Sequence, residues 1–149
     1  MKLFRTLLLA GISVFFINGI NAQVTSIPQQ AKDNFAAQYP DAENVTWDND
    51  LINVNARFEL NGKKMNAEYN NRGIWKSTLE DSDFESLPEV VKDGFEKSKY
   101  ADRKVTEVKI VYLPGDVMQY RIKAEKNDLQ KKFLYFNTKG RLVRDANTI

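Results

Sequence analysis

The stretch that decides the predicted fold is Ile27-Pro28-Gln29-Gln30-Ala31-Lys32-Asp33-Asn34-Phe35, because a close copy, Leu87-Pro88-Glu89-Val90-Val91-Lys92-Asp93-Gly94-Phe95, follows it 60 residues later. The same offset relates Val45-Thr46 to Val105-Thr106. An internal repeat indicates a duplicated supersecondary unit, so it constrains the architecture before any local propensity does.

Each copy begins with the pattern of a short amphipathic helix. Pro28 suits the first turn of a helix, where its missing N–H is not needed, and Pro40 predicts the end of that helix. Apolar side chains recur every four residues and would share one helical face: Ile27, Ala31, Phe35 and Tyr39. The second copy predicts an equivalent helix from about Pro88 to Ser98.

A two-residue alternation follows the first helix and predicts strands with one apolar and one wet face. The apolar side is formed by Ile52, Val54, Ala56, Phe58 and Leu60. Asn61-Gly62 comes next and is a strong hairpin signal. We therefore predict an α+β fold, a tandem repeat of a helix followed by a four-stranded antiparallel meander, with the helices packed on one sheet face. The repeats span residues 23–81 and 82–149 and together form one compact unit.

Residues 1–22 have the features of a secretory signal. Lys2 and Arg5 precede an apolar run, Leu7 to Ile17, and Ala22 ends a sequence suited to signal peptidase. A membrane anchor is the alternative, but the run is shorter than the roughly 20 residues of a spanning helix. We expect a periplasmic or secreted protein without membrane insertion after signal cleavage.

The charge of the chain is uneven along its length. Without Lys2 and Arg5, the 22 basic residues fall to 20 and balance the 20 acidic ones. Residues 23–81 hold 6 basic and 9 acidic residues, whereas 82–149 hold 14 and 11. This asymmetry indicates either attraction between the repeats or a basic surface for an acidic partner. A neutral exported chain lacks the basic footprint of nucleic-acid binding.

The composition excludes several kinds of catalytic and metal site. The chain contains no histidine and no cysteine, which removes the usual general base, thiolate nucleophile and zinc ligands. Asp48 and Asp50 do not begin an EF-hand, since the following residues lack its glycine and further oxygen ligands. We therefore predict no enzyme activity, no catalytic or metal-binding residues and no cofactor.

The second copy differs from the first on the outward side of one strand. If Leu134 faces the helix, Phe133 and Tyr135 must face outward, where the first copy has Asn66 and Glu68. Aromatic and arginine side chains carry much of the energy of protein interfaces. We therefore predict a partner-binding site formed by Phe133, Tyr135, Arg121, Lys123 and Lys131. The alternative is that the other repeat covers these aromatics.

Trp47 and Trp75 lie near strand ends in the first copy. Large aromatic side chains either fill the core of a small protein or offer a surface on which a ligand stacks. A small-ligand or peptide carrier, with these tryptophans in a cavity between helix and sheet, is therefore the second functional hypothesis.

The chain resembles the PepSY-like, beta-lactamase-inhibitor-like periplasmic proteins over most of residues 27–145. The resemblance lies in the repeated [IL]-Pro-x-x-[AV]-Lys-x-x-Phe, in Tyr39-Pro40-Asp41-Ala42 to Val45-Thr46-Trp47, in the Phe58-Glu59-Leu60-Asn61-Gly62-Lys63 hairpin and in the Asn-x-x-Gly turns. The chain departs from the inhibitor after which the family is named, because it has no disulfides and no matching inhibitory loop. After Val105-Thr106 the second half has Glu107, where the first half has Trp47 after Val45-Thr46.

The resemblance implies helices packed on an antiparallel sheet whose opposite surface is open and concave. Family members of known role bind other proteins, and the inhibitor presents its sheet to an enzyme. The leading hypothesis is therefore a non-enzymatic protein-binding module that modulates a peptidase or another envelope protein.

We expect the mature protein to begin at Gln23, because the small Ala22 ends the signal. Intact-mass measurement and amino-terminal sequencing of the protein exported by its host test this. Recovery of the uncut chain from the membrane fraction would instead establish the anchor.

Overall fold

The computed structural model describes residues 26–50 and 52–148. The predicted signal, residues 1–22, lies outside the described residues. Neither of the helices in the described part is long and apolar enough to cross a membrane. The elements, in chain order, are α1 (Gln29–Gln38), β1 (Glu43–Asn49), β2 (Asn53–Leu60), β3 (Lys63–Asn70), β4 (Trp75–Ser82), α2 (Glu89–Glu96), β5 (Lys104–Leu113), β6 (Val117–Asn127), β7 (Gln130–Asn137) and β8 (Leu142–Asn147).

These strands form one continuous antiparallel sheet in the order β1-β2-β3-β4-β5-β6-β7-β8. The predicted fold class, an α+β tandem repeat of a helix and a four-stranded meander, is therefore wrong. The described chain is mostly β, a single eight-stranded sheet with two short helices. Strand β4 pairs with β5 across residues 83–103, with Leu79 opposite Val111. The spacing of residues along the sequence does not reveal this pairing. If β4 and β5 were not paired, each would be the edge of a separate sheet with unpaired backbone groups.

Both helices begin directly after a proline. Pro28 and Pro88 take the N-cap positions with φ of −56° and −55°. The ring of proline holds φ near this value, so the chain enters each helix without further ordering. Helix α1 ends at Gln38, before Pro40, and buries Ala31 and Phe35 against the sheet. Helix α2 likewise buries Val91 and Phe95.

The strand register places both helices on the same side of the sheet, because directly opposed residues share a face. Val54 lies opposite Tyr69, and Ile122 lies opposite Leu134. We call the side that carries these buried residues the helix face and the other side the open face. Two apolar clusters form on the helix face. One surrounds Phe35 of α1, and the other surrounds Phe95 of α2.

Helix α2 approaches the β7–β8 turn backbone to backbone. A Cβ atom added at Gly140 would lie 1.9 Å from the carbonyl oxygen of Val90, and one added at Gly94 would lie 1.9 Å from that of Gly140. Gly140 also has a φ of +74°, which side chains disfavour. Only glycine therefore permits this contact.

We expect Gly140→Ala to destabilise the protein much more than Gly115→Ala. Gly115 has a similar φ of +79° but no atom within 4 Å of an added Cβ, so it is a matched control for the backbone cost. That cost is about 1–2 kcal/mol, and the clash at Gly140 adds about 1–3 kcal/mol of overpacking. Urea unfolding of both variants measures the difference, and equal losses would contradict the close contact.

Candidate functional site

The register brings the five residues of the predicted partner-binding site together on the open face. Arg121 of β6 lies opposite Tyr135 of β7, and Lys123 lies opposite Phe133. Lys131 is opposite Glu125, two pairs further along the same two strands. All five side chains are half-buried. We call Phe133 and Tyr135 the aromatic pair.

Phe133 is covered by an arginine that is itself held in place. The guanidinium carbon of Arg121 lies 4.4 Å from the centre of the Phe133 ring. The same guanidinium donates a hydrogen bond of 2.7 Å to Oε1 of Glu107 on β5. Only 14% of the Arg121 side chain is exposed. The ion pair therefore fixes the guanidinium plane over the ring, which is the geometry of a cation–π contact.

Tyr135 also has an arginine against its ring. The guanidinium carbon of Arg144, on β8, lies 3.8 Å from the Tyr135 ring centre. None of the described carboxylates is within salt-bridge distance of Arg144. The two arginines that lie over the aromatic pair, Arg121 and Arg144, both belong to residues 82–149. The two stacks lie side by side on neighbouring strands.

Lys123 and Lys131 share one carboxylate. Their ammonium groups lie 3.3 and 3.5 Å from the two carboxylate oxygens of Glu125. Oε1 of Glu125 also accepts a hydrogen bond of 2.9 Å from the Thr106 hydroxyl. This hydrogen bond, followed by the lysines, holds the pKa of Glu125 below its usual value. One acidic group therefore balances two lysines.

The described ion pairs do little to neutralise one half of the chain with the other. Lys109 of β5 with Asp81 of β4 is the pair that joins residues 23–81 to 82–149. The remaining pairs lie within one half, as Lys76 with Glu68 and Lys132 with Asp145 do. The basic excess of the second half is therefore left available to solvent or to a partner.

The two tryptophans lie in different surroundings. Trp47 packs edge-on against Phe35, with ring centres 5.3 Å apart, at the margin of the first apolar cluster. Trp75 donates its Nε1–H to the Thr78 hydroxyl at 2.9 Å. It lines a cleft of about 740 Å³ between the end of α1 and the β5–β6 hairpin, and Trp47 is not among the residues that line it.

Asp48 and Asp50 have structural partners. Asp48 pairs with Arg57 at 3.3 Å, and Oδ1 of Asp50 accepts hydrogen bonds from the backbone of Ile52 and Asn53. No group of three or more potential metal ligands occurs within residues 26–50 and 52–148.

Three residues near these sites escaped the sequence prediction. Arg144 lies opposite Tyr135, a position that follows from the pairing of β7 with β8 and has no local sequence signal. Leu129 is 96% exposed at the tip of the β6–β7 hairpin, directly after the polar residues Lys126, Asn127 and Asp128. Glu80 is only 5% exposed on the helix face, although the alternation of β4 would place its apolar neighbour Leu79 inward instead.

Comparison with known proteins gives both a sequence family and similar structures. The family described as "Putative beta-lactamase-inhibitor-like, PepSY-like" matches residues 52–144. A DUF2874 family protein from Bacteroides ovatus is 30% identical, with a TM-score of 0.73 over 82% of this chain and 88% of its own. No curated protein matches the sequence.

Two more distant structures show the same fold. A BLIP-like protein from Bacteroides fragilis is 22% identical, with a TM-score of 0.73 over 83% of this chain and 87% of its own. A protein from Bacteroides eggerthii described as "putative periplasmic" is 24% identical, with a TM-score of 0.70 over 82% of this chain and 89% of its own.

We expect a carbon-13 titration to give Glu125 a pKa below the 4.5 of an unperturbed glutamate, and Thr106→Val to raise it, because the Thr106 hydrogen bond is the largest cause of the shift. A lowered pKa in the folded state stabilises the fold above the unfolded value, and this stabilisation is lost as pH falls through the folded pKa. The loss of unfolding free energy in Glu125→Gln should therefore shrink below pH 4.5. A loss that is independent of pH would contradict the assignment.

Proposed function

The chain belongs to the PepSY-like, beta-lactamase-inhibitor-like family, and from this premise we propose that it is a non-enzymatic protein-binding module of the periplasm or the exterior. Its open face on β5–β8 binds another envelope protein, for example a peptidase whose activity it modulates. The BLIP-like relative supports this proposal because it has the same fold. Fold alone does not define function, and the more specific support comes from the surface of this chain.

The observation that carries the proposal is the aromatic pair with its two stacked arginines. Arginine and aromatic side chains are enriched among the residues that dominate binding energy. Arg121 is already held by Glu107 and stacked on Phe133. Binding therefore costs less side-chain entropy than it would with freely rotating groups.

The charge of this surface favours an acidic partner. Arg144 stacks on Tyr135 and has no carboxylate of the described residues within salt-bridge distance, and one carboxylate, Glu125, serves both Lys123 and Lys131. An acidic patch would pair with these cations without displacing Glu107 from Arg121. Such complementarity raises the association rate and disfavours basic competitors.

The size of the surface sets how far the contact extends. Strands about 4.8 Å apart, with a rise of about 3.3 Å per residue, give four eight-residue strands a projected area of roughly 500 Å². A standard interface buries about 800 Å² on each partner. The contact is therefore either transient or continues onto β4 and β3, where Asp81 and Lys109 already bridge the two halves of the face.

A photo-crosslinking residue at Phe133 tests the proposal in the native host. We expect p-benzoylphenylalanine there to give a discrete adduct, whose partner mass spectrometry identifies. The same residue at Asn66 is the matched control, because Asn66 also lies on the open face but in the first half. Equal adducts at both positions would contradict a site centred on β6 and β7.

Alanine variants of the aromatic pair measure its contribution. With the captured partner purified, Phe133→Ala with Tyr135→Ala should weaken binding by about 30-fold or more, the effect of losing more than 2 kcal/mol. Asn66→Ala with Glu68→Ala serves as the control and should change affinity little. Urea unfolding establishes that both variants fold, and unchanged affinity in the folded aromatic variant would refute the assignment.

A further inference from the structure

The helix face contains a polar break that its fold does not require. Thr78 and Glu80, both on β4, are the buried polar residues of the described core, with 0% and 5% exposure. The register places them between the two apolar clusters, with Ala67 and Met65 on one side and Tyr112 and Ile110 on the other. The buried residues of α1 and those of α2 belong to separate apolar clusters, and neither cluster includes Thr78 or Glu80.

Glu80 has two partners of different kinds. Its Oε2 accepts a hydrogen bond of 2.6 Å from the Tyr112 hydroxyl, and its Oε1 is paired with the ammonium group of Lys63. Lys63 comes from the β2–β3 hairpin, and 59% of its side chain is exposed. Burial, and then the hydrogen bond to Glu80, raises the pKa of Tyr112, so its hydroxyl remains a donor.

A buried carboxylate here does not serve stability alone. Removing charges from water costs free energy, and well-packed apolar groups of similar volume often give equal or greater stability. A methionine or leucine at position 80 would join the two clusters into one. The polar side chain at this place is therefore better explained by a ligand than by the fold, since local conflicts with packing are expected at functional sites.

Glu80 lies in the wall of the cleft that contains Trp75. The cleft volume, about 740 Å³, falls within the roughly 300–1,000 Å³ of small-molecule sites. Three aromatic side chains line it, Tyr39, Trp75 and Tyr112, and so do the apolar side chains of Leu60, Met65 and Met118. The cleft thus combines an apolar wall with a single buried charge.

We propose that this cleft binds a small organic cation, with a primary or quaternary ammonium group beside Glu80 and an apolar body against the aromatic and methionine side chains. A cation can replace Lys63 at Glu80, because the lysine side chain is long, flexible and mostly exposed. The carboxylate remains neutralised throughout this exchange. The aromatic side chains attract cations further through their ring faces. An anion would meet both Glu80 and Asp116, which also lines the cleft.

This inference is independent of the proposed protein-binding function. It rests on the helix face and on β4, whereas the aromatic pair lies on the open face of β6 and β7. Phe133→Ala with Tyr135→Ala should therefore leave cation binding unchanged, so that failure of one proposal can be distinguished from failure of the other.

Calorimetric titration of the mature protein tests the proposal with four probes of equal chain length. We expect saturable one-to-one binding of hexyltrimethylammonium and hexylamine, and weaker binding of hexanol and hexanoate. Hexanol binding as tight as the ammonium probes would show a merely apolar cleft, and tighter binding of hexanoate would reverse the charge assignment. A lysine peptide, acetyl-Ala-Lys-Ala-amide, that binds more tightly than hexylamine would overturn the small-ligand assignment.

Two variants test the roles of Glu80, which would bind the cation, and of Lys63, which would compete with the cation for Glu80. Glu80→Gln should weaken binding of hexyltrimethylammonium by about tenfold or more, since it removes the charge and keeps the shape. Lys63→Ala should tighten it, because the competing ammonium group is gone. Glu68→Gln, at a carboxylate of the open face, is the control. Unchanged affinity in a folded Glu80→Gln refutes the proposal, and if that variant fails to fold, unchanged or weaker binding by Lys63→Ala refutes it equally.

Discussion

Strand β4 pairs with β5 from Thr78 opposite Tyr112 to Ser82 opposite Val108, and the remaining architecture depends on this ladder. It joins strands on both sides of residues 83–103 into one sheet. Backbone hydrogen bonds of a ladder are satisfied only when both strands are present, so β4 and β5 stabilise each other. The two helices then have one surface in common.

The shared sheet explains why both candidate sites lie where they do. On the helix face, α1 and α2 cover separate apolar clusters, and the strip of β4 between them contains the buried Glu80. On the open face, the outward side chains of β6 and β7 come together without a helix above them. One strand order therefore produces a cleft on one side and a basic aromatic surface on the other.

Local signals predicted the individual elements of the chain well. Asn61-Gly62 does form the turn of a hairpin, with Leu60 opposite Lys63. Both helices begin directly after a proline, Pro28 or Pro88, as the sequence indicated. The predicted tandem repeat was wrong because spacing within a hairpin says nothing about which strands meet across a long connection. The site residues were placed on one face by alternation alone, but their partners were not. Arg144 reaches Tyr135 only through the pairing of β7 with β8.

The sequence by itself determined where the helices begin, which positions of β2, β3 and β7 face inward, and that the chain lacks the chemistry of histidine and cysteine. These properties follow from residue type and from spacing between near neighbours. Only the tertiary structure decided that the strands form one sheet, that Arg121 and Arg144 cover the aromatic pair, and that Glu80 lies buried beside Tyr112. Each of these contacts joins residues on different strands, and their distance in space is set by strand pairing and not by separation along the chain.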